Sequence, residues 1–169
     1  MLTSPGRRFL FALRGQALLL LLVLATEPLR AQVPPALPGR WALQQIAYEA
    51  RRPLSDSLQE QLFHSPAADT NIGITNGTLL LEVEFRANGS YTYTTSRQGQ
   101  VVHSEQGRYE VRGGKLYSQT ADTTATPLFD GQRIVQLTRR KLLLQSPFLD
   151  PALQLFEQLL YVRLPAKRR

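Results

Sequence analysis

The sequence predicts an all-β protein: an antiparallel up-and-down barrel of about eight strands, with a short helix in the loop after the first strand. Three observations carry this expectation. Hydrophobicity alternates with period two over residues 79–86: Leu79, Leu81, Val83 and Phe85 share one face, and Leu80, Glu82, Glu84 and Arg86 the other. The turn dipeptides Asn88-Gly89, Gln98-Gly99, Gly113-Gly114 and Asp130-Gly131 punctuate the chain at short intervals. No internal repeat is visible, which argues against a propeller or solenoid, and closing the sheet removes the edges that short antiparallel strands would otherwise expose.

Residues 1–31 read as a signal peptide. Arg7 and Arg8 form a basic start, Ala17 to Ala25 is an almost pure Leu run, Glu27-Pro28 stops it, and Ala31 sits at a plausible cleavage position. A spanning helix needs about 20 continuous apolar residues, and Arg14, Gly15 and Gln16 interrupt this run upstream. An uncleaved membrane anchor is the alternative. The expectation is a secreted or periplasmic protein that starts near Gln32 after cleavage. The formal charge of +7 overstates the rest of the chain. Residues 1–31 hold four arginines and one glutamate, and Lys167, Arg168 and Arg169 form a basic tail over residues 165–169. The body between is close to neutral and has no basic stripe, so nucleic acid is a poor partner. The tail offers a weak contact to an anionic membrane surface. With no cysteine, disulfides, thiolate metal sites and cysteine nucleophiles are excluded.

Residues 32–38 are a Pro-rich lead-in, too rich in proline to pair in a central strand. Trp41 to Tyr48 is the first strand. Residues 49–71 are a long excursion, in which the capping-box spacing of Ser57-Leu58-Gln59-Glu60 predicts a helix from about Leu58 to His64, ended by Pro66. The next two strands flank Asn88-Gly89. A three-residue loop Ala87-Asn88-Gly89, with Gly89 left-handed, sets Phe85 opposite Tyr91 and Val83 opposite Tyr93. It is preferred because it joins the apolar faces. Residues 101–111 form a strand kinked at Gly107, and a two-residue loop at Gly113-Gly114 puts Val111 opposite Leu116. A Thr-rich loop over residues 120–128 and a turn at Asp130-Gly131 precede Ile134–Leu137. Thr138 to Lys141 pairs Leu137 with Leu142. Residues 147–151 are a loop, or Asp150-Pro151 starts a helical turn. Residues 158–164 close the chain's strand set.

Gly39-Arg40-Trp41 at the first strand and Tyr161-Val162-Arg163 in the last resemble the opening Gly-X-Trp and the late arginine of lipocalins. Together with the export signal and strand count, the chain over residues 39–164 is similar to small secreted bacterial lipocalin-like domains. The resemblance implies that Arg163 stacks on Trp41 at the closed end of the barrel, a structural pair. It departs from the family in having no evident helix after the last strand and a long excursion after the first.

Catalytic constellations are sparse. The two histidines, His64 and His103, have no metal-ligand spacing around them, so no metal or cofactor is expected. Glu82 and Glu84 share a face that reads as solvated, and Ser104 points away from His103. The expectation is therefore not an enzyme but a binder of a small lipophilic ligand, such as a fatty acid or terpenoid. Its candidate cavity lining is Val83, Phe85, Tyr91, Tyr93, Thr95 and His103, the last only if the Gln98-Gly99 loop has three residues. Thr95 and Ser118, small residues on inward faces, would leave space. The alternative is a filled barrel serving as a structural or protein-interaction module of the cell envelope.

Overall fold

The computed structural model describes residues 33–121 and 126–165. They form a closed barrel of eight antiparallel strands in chain order: β1 (Gly39–Ala50), β2 (Leu79–Phe85), β3 (Ser90–Arg97), β4 (Gln100–Arg112), β5 (Lys115–Thr120), β6 (Asp130–Leu137), β7 (Lys141–Pro147) and β8 (Leu155–Arg163). β1 pairs with β8, which closes the ring. Two short helices, α1 (Asp56–Phe63) and α2 (Pro66–Thr75), lie between β1 and β2. No helix among the described residues is long and apolar enough to cross a membrane. The expected signal peptide and the basic tail Lys167, Arg168 and Arg169 lie outside the described residues.

The hairpin registers follow turn chemistry. At the β2–β3 turn the Arg86 N–H donates to the Ser90 carbonyl at 2.8 Å and Gly89 has φ +79°, so the loop has three residues. Phe85 then faces Tyr91, and Val83 faces Tyr93. Gly113 and Gly114 both have positive φ and set Val111 opposite Leu116. Leu137 pairs with Leu142.

Three local expectations are corrected, and one left open is settled. The cap of α1 is Ser55, whose hydroxyl accepts from the Leu58 N–H at 3.4 Å, so the helix starts at Asp56 rather than at Leu58. Pro66 does not merely end that helix: it opens α2 from its first turn, where its missing N–H costs nothing. Asp130-Gly131 is not a turn but part of β6, and Gly131, φ +79°, lies where the β5–β6 register shifts. Asp150-Pro151 does open a helical turn, a 3-10 helix over Pro151–Leu153, in which the Asp150 carboxylate accepts from the Ala152 N–H at 2.8 Å.

The ring has two short seams, β5–β6 and β1–β2, and the second is covered by a helix. β1 pairs with β2 over only Gly39–Ala42. After a bulge between Leu43 and Gln45, β1 continues along β8 and parts from β2. Helix α2 packs against both strands here. Asn71 stands in for the missing strand: its side-chain carbonyl accepts from the Ile46 N–H at 2.8 Å, and its amide donates to the Ile46 carbonyl at 2.7 Å. Both main-chain groups are thereby satisfied without a β partner.

Candidate functional site

Inside the ring, the floor comes first. Trp41 is fully buried and its indole N–H donates to the Leu37 carbonyl at 2.8 Å. The Arg163 guanidinium lies 4.2 Å over the Trp41 ring, a cation–π contact of about 1–2 kcal/mol when desolvated. Its Nη1 donates to the Pro38 carbonyl at 2.8 Å and its Nη2 to the Ala36 carbonyl. The Pro-rich lead-in is therefore held across the barrel base, and Leu37 is as buried as Trp41. Gly39 has its own requirement. A Cβ there would sit 2.0 Å from Arg163 Nη1, and its φ of +140° disfavours other residues. Gly39, Trp41 and Arg163 are thus one physical unit.

Above the floor, aromatic rings fill the barrel. Phe85 meets Tyr109 edge-on at 4.7 Å and Phe129 at 5.6 Å, and Phe129 meets Tyr91 at 6.4 Å. Tyr109 donates to the Arg86 carbonyl at 2.8 Å, and burial pushes its hydroxyl up to about 12. Tyr91 lies over Gly107, where a Cβ would approach its ring to 2.7 Å. Ser118 accepts from the Phe129 N–H at 2.8 Å, and the Phe129 ring lies in the buried core.

The sequence-derived candidates therefore divide. Val83, Phe85 and Tyr91 are within 1% of complete burial and belong to the packed core, not to an open lining. Tyr93 and Thr95 face inward too, yet keep part of their surface exposed. His103 does pair with Thr95, but by another route. The Gln98-Gly99 turn has two residues, and a bulge after Thr95 restores the register. His103 sits at the rim with 57% of its side chain exposed, its ring 6.2 Å from that of Tyr93.

Two inward residues escaped the sequence reading. Glu105 pairs with Tyr93 and accepts a hydrogen bond from the Tyr91 hydroxyl. Its second oxygen is 4.0 Å from His103 Nε2, and its side chain is 15% exposed. Glu157 lies four residues before Tyr161 on β8, hence on the same face. Burial raises its carboxyl above the ordinary range. Tyr161 is 3% exposed. Burial, with Tyr93 and Glu157 nearby, pushes its hydroxyl well above the ordinary phenol range. Strand alternation counted back from Arg163, and forward from Tyr91 once a bulge is allowed, would have found both carboxylates. By contrast Glu82 and Glu84 face outward, paired with Arg40 at 2.7 Å and Arg86 at 3.2 Å, as a solvated face should be.

The upper half is thus amphipathic: Ile46, Leu81 and Leu159 supply apolar surface, and Tyr93, Tyr161, Glu105 and Glu157 supply polar groups. Two depressions lie elsewhere. One, of about 710 Å³, runs between α2 and the β2–β3 strands beside Asp69 and Arg97; the other, of about 650 Å³, lies under the lead-in at Pro34 and Arg139. Neither gathers an acid–base pair or a nucleophile with a base. Among the described residues no group of three His, Cys, Asp or Glu side chains is placed to hold a metal ion. Comparison with protein-family models, with curated proteins and with solved structures finds no match to the chain.

Proposed function

We propose that this is an exported, non-catalytic binding barrel of lipocalin-like type, which takes a small, largely apolar molecule into its upper half. One observation carries the reading. Leu81, Tyr93, Thr95 and Leu159 point into the closed ring and keep accessible surface, whereas Trp41, Val83, Phe85, Tyr91, Leu116 and Leu142 nearer the floor keep almost none. Residual accessibility on the inner face means open space within reach of the mouth. An apolar wall carrying a few convergent polar groups is the composition of a ligand site. The lipocalin-like part of the proposal is supported by the Gly39, Trp41 and Arg163 unit at the floor.

Titration with phenylnaphthylamine, a neutral fluorophore that brightens in apolar surroundings, tests this. Saturable binding in the micromolar range is expected, about −8 kcal/mol. Tyr93→Ala should weaken it and Glu84→Ala, on the outer face, should not. No saturable signal from folded protein would favour the filled barrel acting as an envelope module. Export has its own test. Intact-mass measurement of secreted protein should show loss of the first 31 residues. Full-length chain held in the membrane fraction would contradict it.

A further inference from the structure

We infer that the molecule taken into the upper half is an organic cation: a small ammonium compound with an apolar body. This rests on the binding reading above and narrows it. The geometry places unmet acceptors there and no cation to meet them. Glu157 makes no hydrogen bond and no ion pair among the described residues, although it faces inward. Glu105 spends one oxygen on Tyr91; the other has only His103 at 4.0 Å, beyond hydrogen-bond reach.

Tyr161 is an independent pointer. Its hydroxyl has no hydrogen bond among the described residues, yet the residue is 97% buried, being only 3% exposed. Among the described residues the only fully buried polar side-chain atom without a partner is Arg163 Nε, so the Tyr161 hydroxyl reaches accessible surface, with Tyr93 and Glu157 close enough to act on it.

Every basic side chain with inward parity is accounted for. Arg163 is committed to the floor, 4.2 Å over Trp41 and bonded to Pro38 and Ala36. Arg97 ends β3 as an exposed residue, and His103 is mostly exposed at the rim. Between floor and rim the charged side chains that face inward are two carboxylates. A fatty acid would bring a third carboxylate beside them. An ammonium group brings N–H donors for Glu157, the free oxygen of Glu105 and the Tyr161 hydroxyl, and the Tyr rings attract a cation through their faces. A carboxyl whose pKa is raised by burial regains its charge when a cation sits beside it.

Calorimetric titration of the purified protein with octylamine, octanol and octanoate separates the terms, because the three share one chain and differ in head-group charge. Octylamine should bind at least about tenfold tighter than octanol, with octanoate weakest. Glu157→Gln and Tyr161→Phe should each pull the amine-to-alcohol ratio toward one, chiefly by weakening octylamine, while the far-ultraviolet circular dichroism stays unchanged. Octanol equal to octylamine, or octanoate tightest, would overturn the cation inference and leave the binding reading standing. Folded variants that both keep the full ratio would overturn the assignment to these residues. Failure of all three compounds to bind would overturn the binding reading itself.

Discussion

The two halves of the barrel are made from the same eight strands and differ in what fills them. In the lower half Trp41, Phe85, Tyr91, Phe129, Leu116 and Leu142 are within 1% of complete burial. In the upper half Ile46, Leu81, Tyr93 and Leu159 line the same inner face and stay partly exposed. The difference comes from what lies at the ends of the strands. Below, the lead-in crosses the base and gives Leu37 to the core, with its carbonyls tied to Trp41 and Arg163. Above, β1 parts from β2 after a bulge, the β3–β4 register shifts after Thr95, and α2 covers the seam from outside. Closed pairing with a plug produces a dry core; bulged strands with a lateral patch leave the interior reachable.

The sharpest test of this contrast is a matched pair of aromatic deletions. Phe129→Ala empties a site that cannot collapse and should cost about 3–5 kcal/mol in urea unfolding. Tyr93→Ala removes a partly solvated ring whose hydroxyl bonds only to the neighbouring Thr95 side chain, and should cost under about 1.5 kcal/mol. Equal costs would mean that the upper half is packed like the lower.

Second in size is the floor. Arg163→Ala removes the guanidinium stack and frees two part-buried carbonyls, for about 1–3 kcal/mol. Trp41 is the sole tryptophan, so its emission should move to longer wavelength as water reaches the base. Gly39→Ala should cost a similar amount by a different route. Its Cβ would displace the guanidinium and force a φ that alanine resists, about 1–3 kcal/mol of strain. An unchanged emission maximum in both variants would mean that the lead-in is held by something other than Arg163.

These expectations show what the sequence made legible. Alternation and turn dipeptides are local signals, so the strand count and the Phe85–Tyr91 register could be read directly, while the Trp41–Arg163 pair followed only from the lipocalin resemblance. Phe129 could not: it follows a Thr-rich loop without periodicity, and only the Ser118 main-chain and side-chain bonds fix it in the core. Leu37 sits among prolines that read as a linker. Helix α2 carries Gly73 and β-branched Thr and Ile, weak helix formers, and is held by Asn71 and by packing instead. Bulges are invisible to a period-two count, so alternation places His103 on the inner face only if the Gln98-Gly99 loop has three residues and does not place Glu105 there at all.

The smallest expected effect concerns Glu157. Because burial raises its pKa, the native state holds this proton more tightly than the unfolded chain does. Stability is therefore lost as pH rises through the carboxylate range. Glu157→Gln removes that loss: the variant should gain on the native protein above this range, and the gain should vanish below it. Melting curves at pH values on either side of the carboxylate range check the sign. A variant that loses ground at neutral pH would mean that Glu157 has a stabilising partner in the free protein.

The central claim is that the upper interior, and not the lower, is open to a ligand. Nuclear Overhauser contacts between bound octylamine and the aromatic and methyl protons of the protein test it most directly. Contacts with Leu81, Tyr93, Leu159 and Tyr161, and none with Phe85, Phe129 or Trp41, are the result this account predicts. Contacts confined to exposed outer residues such as Phe63, Val101 and Val102, which are 76%, 63% and 57% exposed, would contradict it.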